Sequence, residues 1–277
     1  MRLYAGAMIH KPYPWIMGIL NVTPDSFSDG GRFISVDKAL EQVERLVASG
    51  ADLIDIGGES SRPGACAVSE AQERRRVVPL VRAVRQRFDV PLSIDTVKAS
   101  VAGEALEAGA DWINDISALG HDPRMALVVA QAGVPVVLMH RRGTARGHYA
   151  DFKSQRLVEE VKQFFAERVA FALNAGIAER NLVLDPGIGF GKHALQNCEL
   201  INRLGAFKAL GLPLLVGSSR KSFLGKLTGT SVEARLPGTL ASTLLAVLRG
   251  ADIVRVHDVG EVKQALVVWQ RIVQRPH

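Results

Sequence analysis

Short apolar segments recur along the chain at intervals of roughly one eighth of its length, and this repetition limits the fold more than any other feature. Each segment is rich in Val, Ile and Leu and is too short to form a typical helix. Such segments are typical of strands that are buried on both faces of a parallel sheet. The eight segments are 15–21, 53–57, 91–95, 112–116, 135–140, 182–185, 213–217 and 252–257.

Stretches with helical spacing of apolar residues separate these segments. Four of the stretches lead into a glycine (Gly50, Gly109, Gly133 and Gly250), and glycine readily adopts the left-handed conformation that ends a helix. A repeated unit of strand and helix predicts a single α/β domain over residues 1–277, a (β/α)₈ TIM barrel, with an open doubly wound sheet as the alternative. The clearest helical stretches are 36–49, 70–87, 97–108, 123–132, 157–175, 233–249 and 261–275.

The composition is consistent with one barrel. The chain has 277 residues, 47% of them hydrophobic, which provides for a sizeable core. Its formal charge of +6 fits either a solvated basic surface or attraction of anionic substrates. Aromatic residues make up only 6%, which argues against a nucleic-acid surface built on stacking. We expect six arginines of one predicted helix to form a solvated face: Arg74, Arg75, Arg76, Arg82, Arg85 and Arg87.

The cysteines and the apolar segments bear on the cellular location. Cys66 and Cys198 have no metal-like spacing, and a disulfide framework is not expected, which fits a reducing compartment. Residues 1–15 contain no apolar region of signal-peptide length. No segment approaches the roughly 18 apolar residues of a membrane span. These features predict a cytoplasmic protein that binds neither membranes nor nucleic acids.

Polar residues follow most of the predicted strands. In a barrel the carboxyl ends of the strands meet at one mouth, where active sites are built. Charge buried there without a partner is costly, so the set as a whole indicates a functional site. Single members have simpler explanations: Asp55 and Asp115 as ion-pair or capping residues, Met139 and His140 as core residues. The set comprises Asn21, Asp55, Asp95, Asn114, Asp115, Met139, His140, Asp185, Lys221, Arg255 and His257.

A glycine-rich segment at 185–192 follows the sixth predicted strand. It lacks the G-x-x-x-x-G-K-[ST] spacing, since Lys192 is followed by His193, and it also lacks the G-x-G-x-x-G order. It suits a tight loop whose backbone approaches a flat ligand.

Two long motifs are distinctive. Residues 17–31 and 55–65 resemble the first two signatures of the dihydropteroate synthases. Shorter motifs at 93–96, 113–116, 185–192, 219–222 and 255–259 complete the set in the family's order. The resemblance implies a transferase of folate biosynthesis, usually a homodimer, that condenses 6-hydroxymethyl-7,8-dihydropterin diphosphate with 4-aminobenzoate and releases diphosphate.

The resemblance also implies roles for individual residues. The pterin would contact Asp95, Asn114, Met139, Asp185, Lys221 and Arg255. The diphosphate would contact Asn21, Ser61, Arg255 and His257, and Asn21 would also bind Mg²⁺ as the cofactor metal. The 4-aminobenzoate, which sulfonamides imitate, would contact Phe27, Ser61, Arg62, Pro63, Phe190, Lys221 and Ser222. The catalytic residues would be Asn21, Asp95, Lys221 and Arg255.

These residues suit a reaction in which Mg²⁺-assisted diphosphate departure precedes attack by the amine. Asp95 would then stabilise a pterin cation. We expect the loops at 22–33 and 58–68 to be poorly ordered without substrates and to close over them. The loop at 141–149 departs from the family pattern. The alternatives are a non-catalytic pterin-binding paralogue and the pterin domain of a corrinoid-type methyltransferase.

Overall fold

The computed structural model describes residues 14–22, 36–60, 66–143 and 156–273. Residues 23–33 of the first predicted closing loop and 61–65 of the second lie outside the described residues, as does most of the atypical loop at 141–149. The prediction of one domain over residues 1–277 therefore stays a prediction for these segments. Four predicted site residues also lie outside the described residues: Phe27, Ser61, Arg62 and Pro63.

Eight parallel strands form a nearly closed barrel in the order β6-β5-β4-β3-β2-β1-β8-β7. The last seam, between β6 and β7, is joined by one bridge between Leu184 and Leu214. The (β/α)₈ prediction is confirmed, and the open sheet is excluded. The strands are β1 (Trp15–Asn21), β2 (Leu53–Gly57), β3 (Leu92–Asp95), β4 (Trp112–Asp115), β5 (Val136–Met139), β6 (Leu182–Asp185), β7 (Leu215–Val216) and β8 (Ile253–Val256).

Helices surround the strands. They are α1 (Val36–Ala48), α2 (Glu70–Arg85), α3 (Ala99–Glu107), α4 (Met125–Ala132), α5 (Leu157–Asn174), α6 (Ala194–Asn202), α7 (Ser222–Thr228), α8 (Leu236–Leu248) and α9 (Val259–Val273). Short 3₁₀ helices lie at Glu179–Asn181 and Leu204–Leu210. None of these described helices is both long and apolar enough to cross a bilayer.

The glycines after the predicted helices end them as expected. Gly50, Gly109, Gly133 and Gly250 have φ angles of 96°, 112°, 64° and 102°. This is the left-handed region that side chains disfavour. Gly133 caps α4, and its N–H donates to the carbonyl of Val129. The repeated glycine therefore turns the chain from each of these helices into the next strand.

The arginines of α2 do not form one solvated face, so that prediction is wrong. Arg85 lies half-buried, where Nε donates to the carbonyl of Gly109 and Nη1 to that of Val90, both at 2.7 Å. Arg76 donates to the carbonyl of Gly58 at 2.9 Å. Guanidinium groups carry five N–H donors, which suits them to collecting loop carbonyls. These two arginines fasten loops to the helix.

Alternate residues of each strand point into the barrel, because side chains alternate between the two faces of a strand. An apolar cluster fills the amino-terminal end of the barrel, with Trp15, Met17, Leu53, Trp112, Val137, Val183, Leu215 and Ile253 as its members. Two residues further along their strands, Asp55, Asn114, Met139, Asp185 and Arg255 share the same inward direction. The apolar plug therefore forms a floor, and a polar layer lies above it.

Candidate active site

Arg255 joins three strands at the centre of the polar layer. Its Nε donates to Oδ2 of Asp55 at 2.6 Å, and its Nη2 donates to Oδ2 of Asp95 at 2.9 Å. Asn114 donates to the same oxygen of Asp55 at 3.0 Å. Asp55 is fully buried, and its Oδ1 has no hydrogen-bond partner among the described residues. Of the two explanations considered for Asp55, the ion pair applies.

Asp95 lies at the end of β3, where burial shifts its ionisation. Burial raises the pKa of the Asp95 carboxyl to about 7, against the opposing effect of the Arg255 cation. The neighbouring Asp55 carboxylate also raises it. One guanidinium between two carboxylates therefore leaves this layer ready to accept a positively charged group.

Asp185 lies at the end of β6. Its Oδ1 accepts a hydrogen bond from the N–H of Gly187 at 2.7 Å. Burial raises the pKa of Asp185 to about 6, although that hydrogen bond and the Lys221 and Lys192 cations oppose the shift. Such a carboxylate gains stability from donors that a ligand brings.

The loop after β6 lies directly against the chain after β5. Gly187 has φ of 67°, and a Cβ at this position would lie 1.9 Å from the carbonyl oxygen of His140. No residue but glycine fits there. The Lys192 ammonium donates to the carbonyls of His140, Gly187 and Phe190. The prediction of a tight backbone loop is confirmed for this segment.

Lys221 and Phe190 face each other across the mouth. The Lys221 ammonium lies 3.9 Å from the centre of the Phe190 ring, within the range of a cation–π contact. Lys221 is half-buried, and Ser222 is exposed at the first position of α7. Met139 is 2% exposed and belongs to the barrel wall. The structure thus brings Lys221, Phe190 and Asp185 to one side of the mouth.

His257 and Asn21 lie at the ends of adjacent strands. The Ser219 hydroxyl lies 3.0 Å from Nδ1 of His257 and accepts the backbone N–H of His257 at 3.2 Å. Burial and then the Arg255 cation lower the pKa of His257 to about 3, so its ring is neutral at neutral pH. Asn21 is half-buried, and a Cβ at Gly57 would lie 3.7 Å from its Oδ1.

Two polar residues prove to be structural. Asp115 points away from the barrel and accepts N–H groups of Ser117 at 2.7 Å and Leu119 at 2.9 Å, so it caps a loop. His140 packs edge-on against Phe164 with ring centres 4.9 Å apart. Burial lowers the pKa of His140 to about 2, which keeps its ring neutral.

Three residues near the mouth received no ligand-binding role from the sequence: Asp55, which was only a member of the strand-end set, and Lys192 and Ser219. Asp55 had a readable signal, because it lies two positions from Leu53 and so faces inward with the other members of the polar layer. Ser219 and Lys192 had none, since Ser219 pairs with His257, 38 positions away, and the Lys192 ammonium reaches the carbonyl of His140, 52 positions away.

The comparisons with known proteins cover almost the whole chain. The pterin binding enzyme family matches residues 17–257. A dihydropteroate synthase of Clostridium beijerinckii is 47% identical over 262 residues, which are 94% of this chain and 95% of the relative.

Solved structures agree with this relationship. A Xanthomonas albilineans dihydropteroate synthase with 4-aminobenzoic acid is 46% identical, with a TM-score of 0.89 and coverage of 95% of this chain and 94% of that one. A Yersinia pestis dihydropteroate synthase with a sulfonamide drug complex is 45% identical, with a TM-score of 0.89 and 95% coverage of both chains. The chain therefore belongs to the dihydropteroate synthases, a family of pterin-binding transferases with a TIM-barrel fold.

Proposed function

We propose that the chain condenses 6-hydroxymethyl-7,8-dihydropterin diphosphate with 4-aminobenzoate to give 7,8-dihydropteroate and diphosphate. The observation that carries the proposal is the polar layer above the apolar floor, in which Asp55, Asp95 and Arg255 form one network and Asp185 lies beside it. Its carboxylates fit the donor edges of a pterin, and its cations fit phosphate and carboxylate groups.

The pterin binds in the polar layer in this proposal. The Asp185 carboxylate accepts N–H groups of the pyrimidine edge, because a carboxylate can accept two parallel hydrogen bonds. Asn114 offers an amide next to Asp55, and Arg255 offers the flat face of its guanidinium for stacking. Met139 contributes apolar wall. When the pterin binds, the Lys221 ammonium moves from the Phe190 ring to a position over the pterin.

The diphosphate binds between the ends of β1 and β8. Arg255, the neutral ring of His257 and the amide of Asn21 are the described residues that face it, and Ser61 is a further candidate outside the described residues. Neutral His257 and Asn21 provide N–H donors that suit phosphate oxygens.

The Mg²⁺ ion fits the donors at Asn21. In the described part of the chain no group of three His, Cys, Asp or Glu side chains is arranged to hold a metal. Mg²⁺ commonly binds through one or two protein oxygens, with water and substrate phosphate as its other ligands, so the Asn21 amide oxygen suffices on the protein side. When bound there, Mg²⁺ would neutralise negative charge on the leaving diphosphate.

The chemistry requires no protein nucleophile. The C–O bond to diphosphate breaks first and leaves a delocalised pterin cation, which the Asp95 carboxylate stabilises. The amine nitrogen of 4-aminobenzoate then bonds to the methylene carbon, and the proton that it loses passes to water. The residues that hold 4-aminobenzoate are Phe190, Ser222 and Lys221, together with the Phe27, Ser61, Arg62 and Pro63 positions. Arg255 keeps Asp95 aimed at the reacting group through its bond at 2.9 Å.

The purified protein tests this proposal directly. We expect pterin diphosphate, Mg²⁺ and 4-aminobenzoate to yield dihydropteroate and an equal amount of diphosphate, measured by chromatography. Chelation with EDTA should abolish both products, and added Mg²⁺ should restore them. Pterin binding without either product would instead favour the non-catalytic paralogue, and methyl transfer from a methylated pterin would favour the corrinoid-type alternative.

A homodimer in the cytoplasm is the second part of the proposal. Two adjacent helices expose apolar side chains: Leu245 (52%) and Leu248 (55%) on α8, and Val268 (54%) and Ile272 (69%) on α9. Each pair has the spacing that places both residues on one helix face. An exposed apolar surface of this kind marks a contact with another protein, and a second copy of the chain is the partner proposed here.

A further inference from the structure

Lys192 places an ammonium group in the interior of the protein, at the end of the loop that follows β6. The residue is 9% exposed. Burial lowers the pKa of Lys192 to about 7, although the Asp185 carboxylate opposes the shift. Because a buried charge is unfavourable unless its surroundings compensate it, the contacts of this ammonium indicate what it does.

Three backbone carbonyls match the three N–H donors of the ammonium. Nζ lies 3.1 Å from the oxygen of His140, 2.9 Å from that of Gly187 and 3.1 Å from that of Phe190. The first carbonyl follows β5, and the other two belong to the loop after β6. One side chain therefore connects two loops and holds two separate points of the second one.

The two loops approach each other so closely at Gly187 and Gly191 that a side chain does not fit at either position. A Cβ on Gly191 would lie 2.3 Å from the carbonyl oxygen of Arg142, as one on Gly187 would lie 1.9 Å from that of His140. The carbonyl oxygens of His140, Gly187 and Phe190 all lie within 3.1 Å of one nitrogen atom, so oxygens from both backbones are close together. A cation between them offsets the repulsion of their dipoles, which a neutral side chain cannot do.

Asn197 of α6 holds a different part of the same loop. Its Oδ1 accepts the N–H of Gly189 at 2.6 Å, and its Nδ2 donates to the carbonyl of Lys192 at 3.1 Å. No hydrogen bond joins Asn197 to Gly187 or Phe190 in the structure. Among the described side chains, Lys192 thus bonds to both Gly187 and Phe190, whereas the Asp185 carboxylate bonds to Gly187.

The two positions held by Lys192 serve the two substrates of the proposed reaction. Gly187 donates its N–H to Asp185, the proposed pterin acceptor. Phe190 places its ring under Lys221, on the proposed amine side. We propose that Lys192 is a positioning residue that sets the distance between the pterin-binding carboxylate and the amine-binding ring. This inference rests on the proposed function, and Lys192 itself contacts neither substrate.

Substitution at Lys192 tests the inference through the two Michaelis constants. We expect Lys192→Met to raise KM for both pterin diphosphate and 4-aminobenzoate by about tenfold to a hundredfold, since a misplacement of about 1 Å can cost about a hundredfold. Lys192→Gln keeps two N–H donors and should give intermediate values. Lys162→Met removes an exposed lysine of α5 and is the matched control. A purely structural role would lower the yield of active enzyme and leave both KM values unchanged.

Chemical rescue supplies a second readout. Lys192→Cys in a Cys66→Ser, Cys198→Ser background has a single thiol, because the chain contains only two cysteines. Alkylation of the unfolded chain with bromoethylamine and refolding restore an ammonium at nearly the original distance. We expect both KM values to recover at least tenfold relative to the unalkylated protein. The same background without the Lys192 substitution is treated identically as the control.

Three results would overturn the inference: folded Lys192→Met or Lys192→Gln with both KM values within twofold of wild type, a change confined to one substrate, or no recovery on alkylation. If both substitutions prevent folding, the alkylated protein decides. Failure of the proposed function is distinguishable, because the wild-type protein would then form no dihydropteroate. The affinity for 6-hydroxymethylpterin, measured by calorimetry for wild type and for Lys192→Met, would then test the role of Lys192 without any turnover.

Discussion

The fold buries the Asp185 carboxyl, which makes its ionised form less stable than it is in water. The single hydrogen bond that its side chain accepts within the described residues comes from the N–H of Gly187, and burial raises the pKa of the carboxyl to about 6. A site that binds donor groups has use for such an acceptor, because part of its desolvation has already occurred before the ligand arrives. Stability and function therefore make opposite demands on this one residue.

Asp185→Asn separates those demands. The folded-state pKa of this carboxyl lies above its unfolded value, so wild type loses stability from it as pH rises from about 4 through 6, whereas the amide does not. We expect the variant to be more stable at pH 8 by about 1–3 kcal/mol, and by less at pH 5. Urea unfolding at both pH values measures this. Turnover should fall at least a hundredfold, and near-normal turnover would remove Asp185 from the pterin site.

The ionisation of the two inward carboxylates predicts a pH profile. Protonation removes the negative charge of Asp95 at pH about 7 and of Asp185 at pH about 6 in the free enzyme. Since kcat/KM reports the free enzyme, we expect kcat/KM for pterin diphosphate to fall as pH decreases from 7.5 to 5.5. A profile that is flat over this interval would contradict the assignment of both carboxylates.

At the scale of elements, the loop after β2 is fastened at both of its ends. Glu59 before the loop accepts the N–H of Val68 after it, at 3.3 Å. Lys98, just before α3, pairs with both Glu59 and Glu73. Glu73 is 1% exposed, and Lys98 is its ion-pair partner. These three side chains define the stem of a loop whose residues 61–65 lie outside the described residues.

Lys98→Met should therefore affect the molecule twice. It leaves the buried Glu73 carboxylate unpaired, and we expect a loss of about 3 kcal/mol in the free energy of unfolding. It also releases the stem, so KM for 4-aminobenzoate should rise several-fold. Urea unfolding and steady-state kinetics measure the two effects. The double variant Lys98→Met, Glu73→Leu should recover most of the stability, and a failure to recover would show that the loss does not come from Glu73.

At the scale of the whole molecule, the apolar faces of α8 and α9 predict the assembly. Leu248→Glu places a charge in the proposed contact, where it has no partner, and we expect the protein to sediment as a monomer with its fold intact. Leu127→Glu on α4 changes a leucine that is equally exposed, 55% in both cases, and should leave the dimer unchanged. Analytical ultracentrifugation compares the three proteins. Wild type that sediments as a monomer, or a Leu248→Glu dimer, would refute the interface.

The sequence predicted the barrel because its strands are runs of Val, Ile and Leu that glycines separate from helices. It overestimated β7, where Pro213 lacks an N–H for the ladder and only Leu215–Val216 is a strand. It did not predict α6 or α7, which have 9 and 7 residues and lack a long apolar stripe. The alternation of side chains along each strand predicts which polar residues point into the barrel. It does not predict which of them form hydrogen bonds with each other, because Arg255 and Asp55, for example, are 200 positions apart in the sequence.

The seam between β6 and β7 has one bridge, so we expect the barrel to open there more readily than between its other strands. Asp185 ends one side of the seam, and Lys221 follows the other, so a fluctuation that widens the seam also separates two residues proposed to hold the pterin. The Leu184 amide donates to Pro213 across it at 2.9 Å and reports each opening event by exchanging its hydrogen. A pterin bound to both Asp185 and Lys221 would link the two sides of the seam. Hydrogen exchange at the Leu184 amide should therefore slow when the pterin binds.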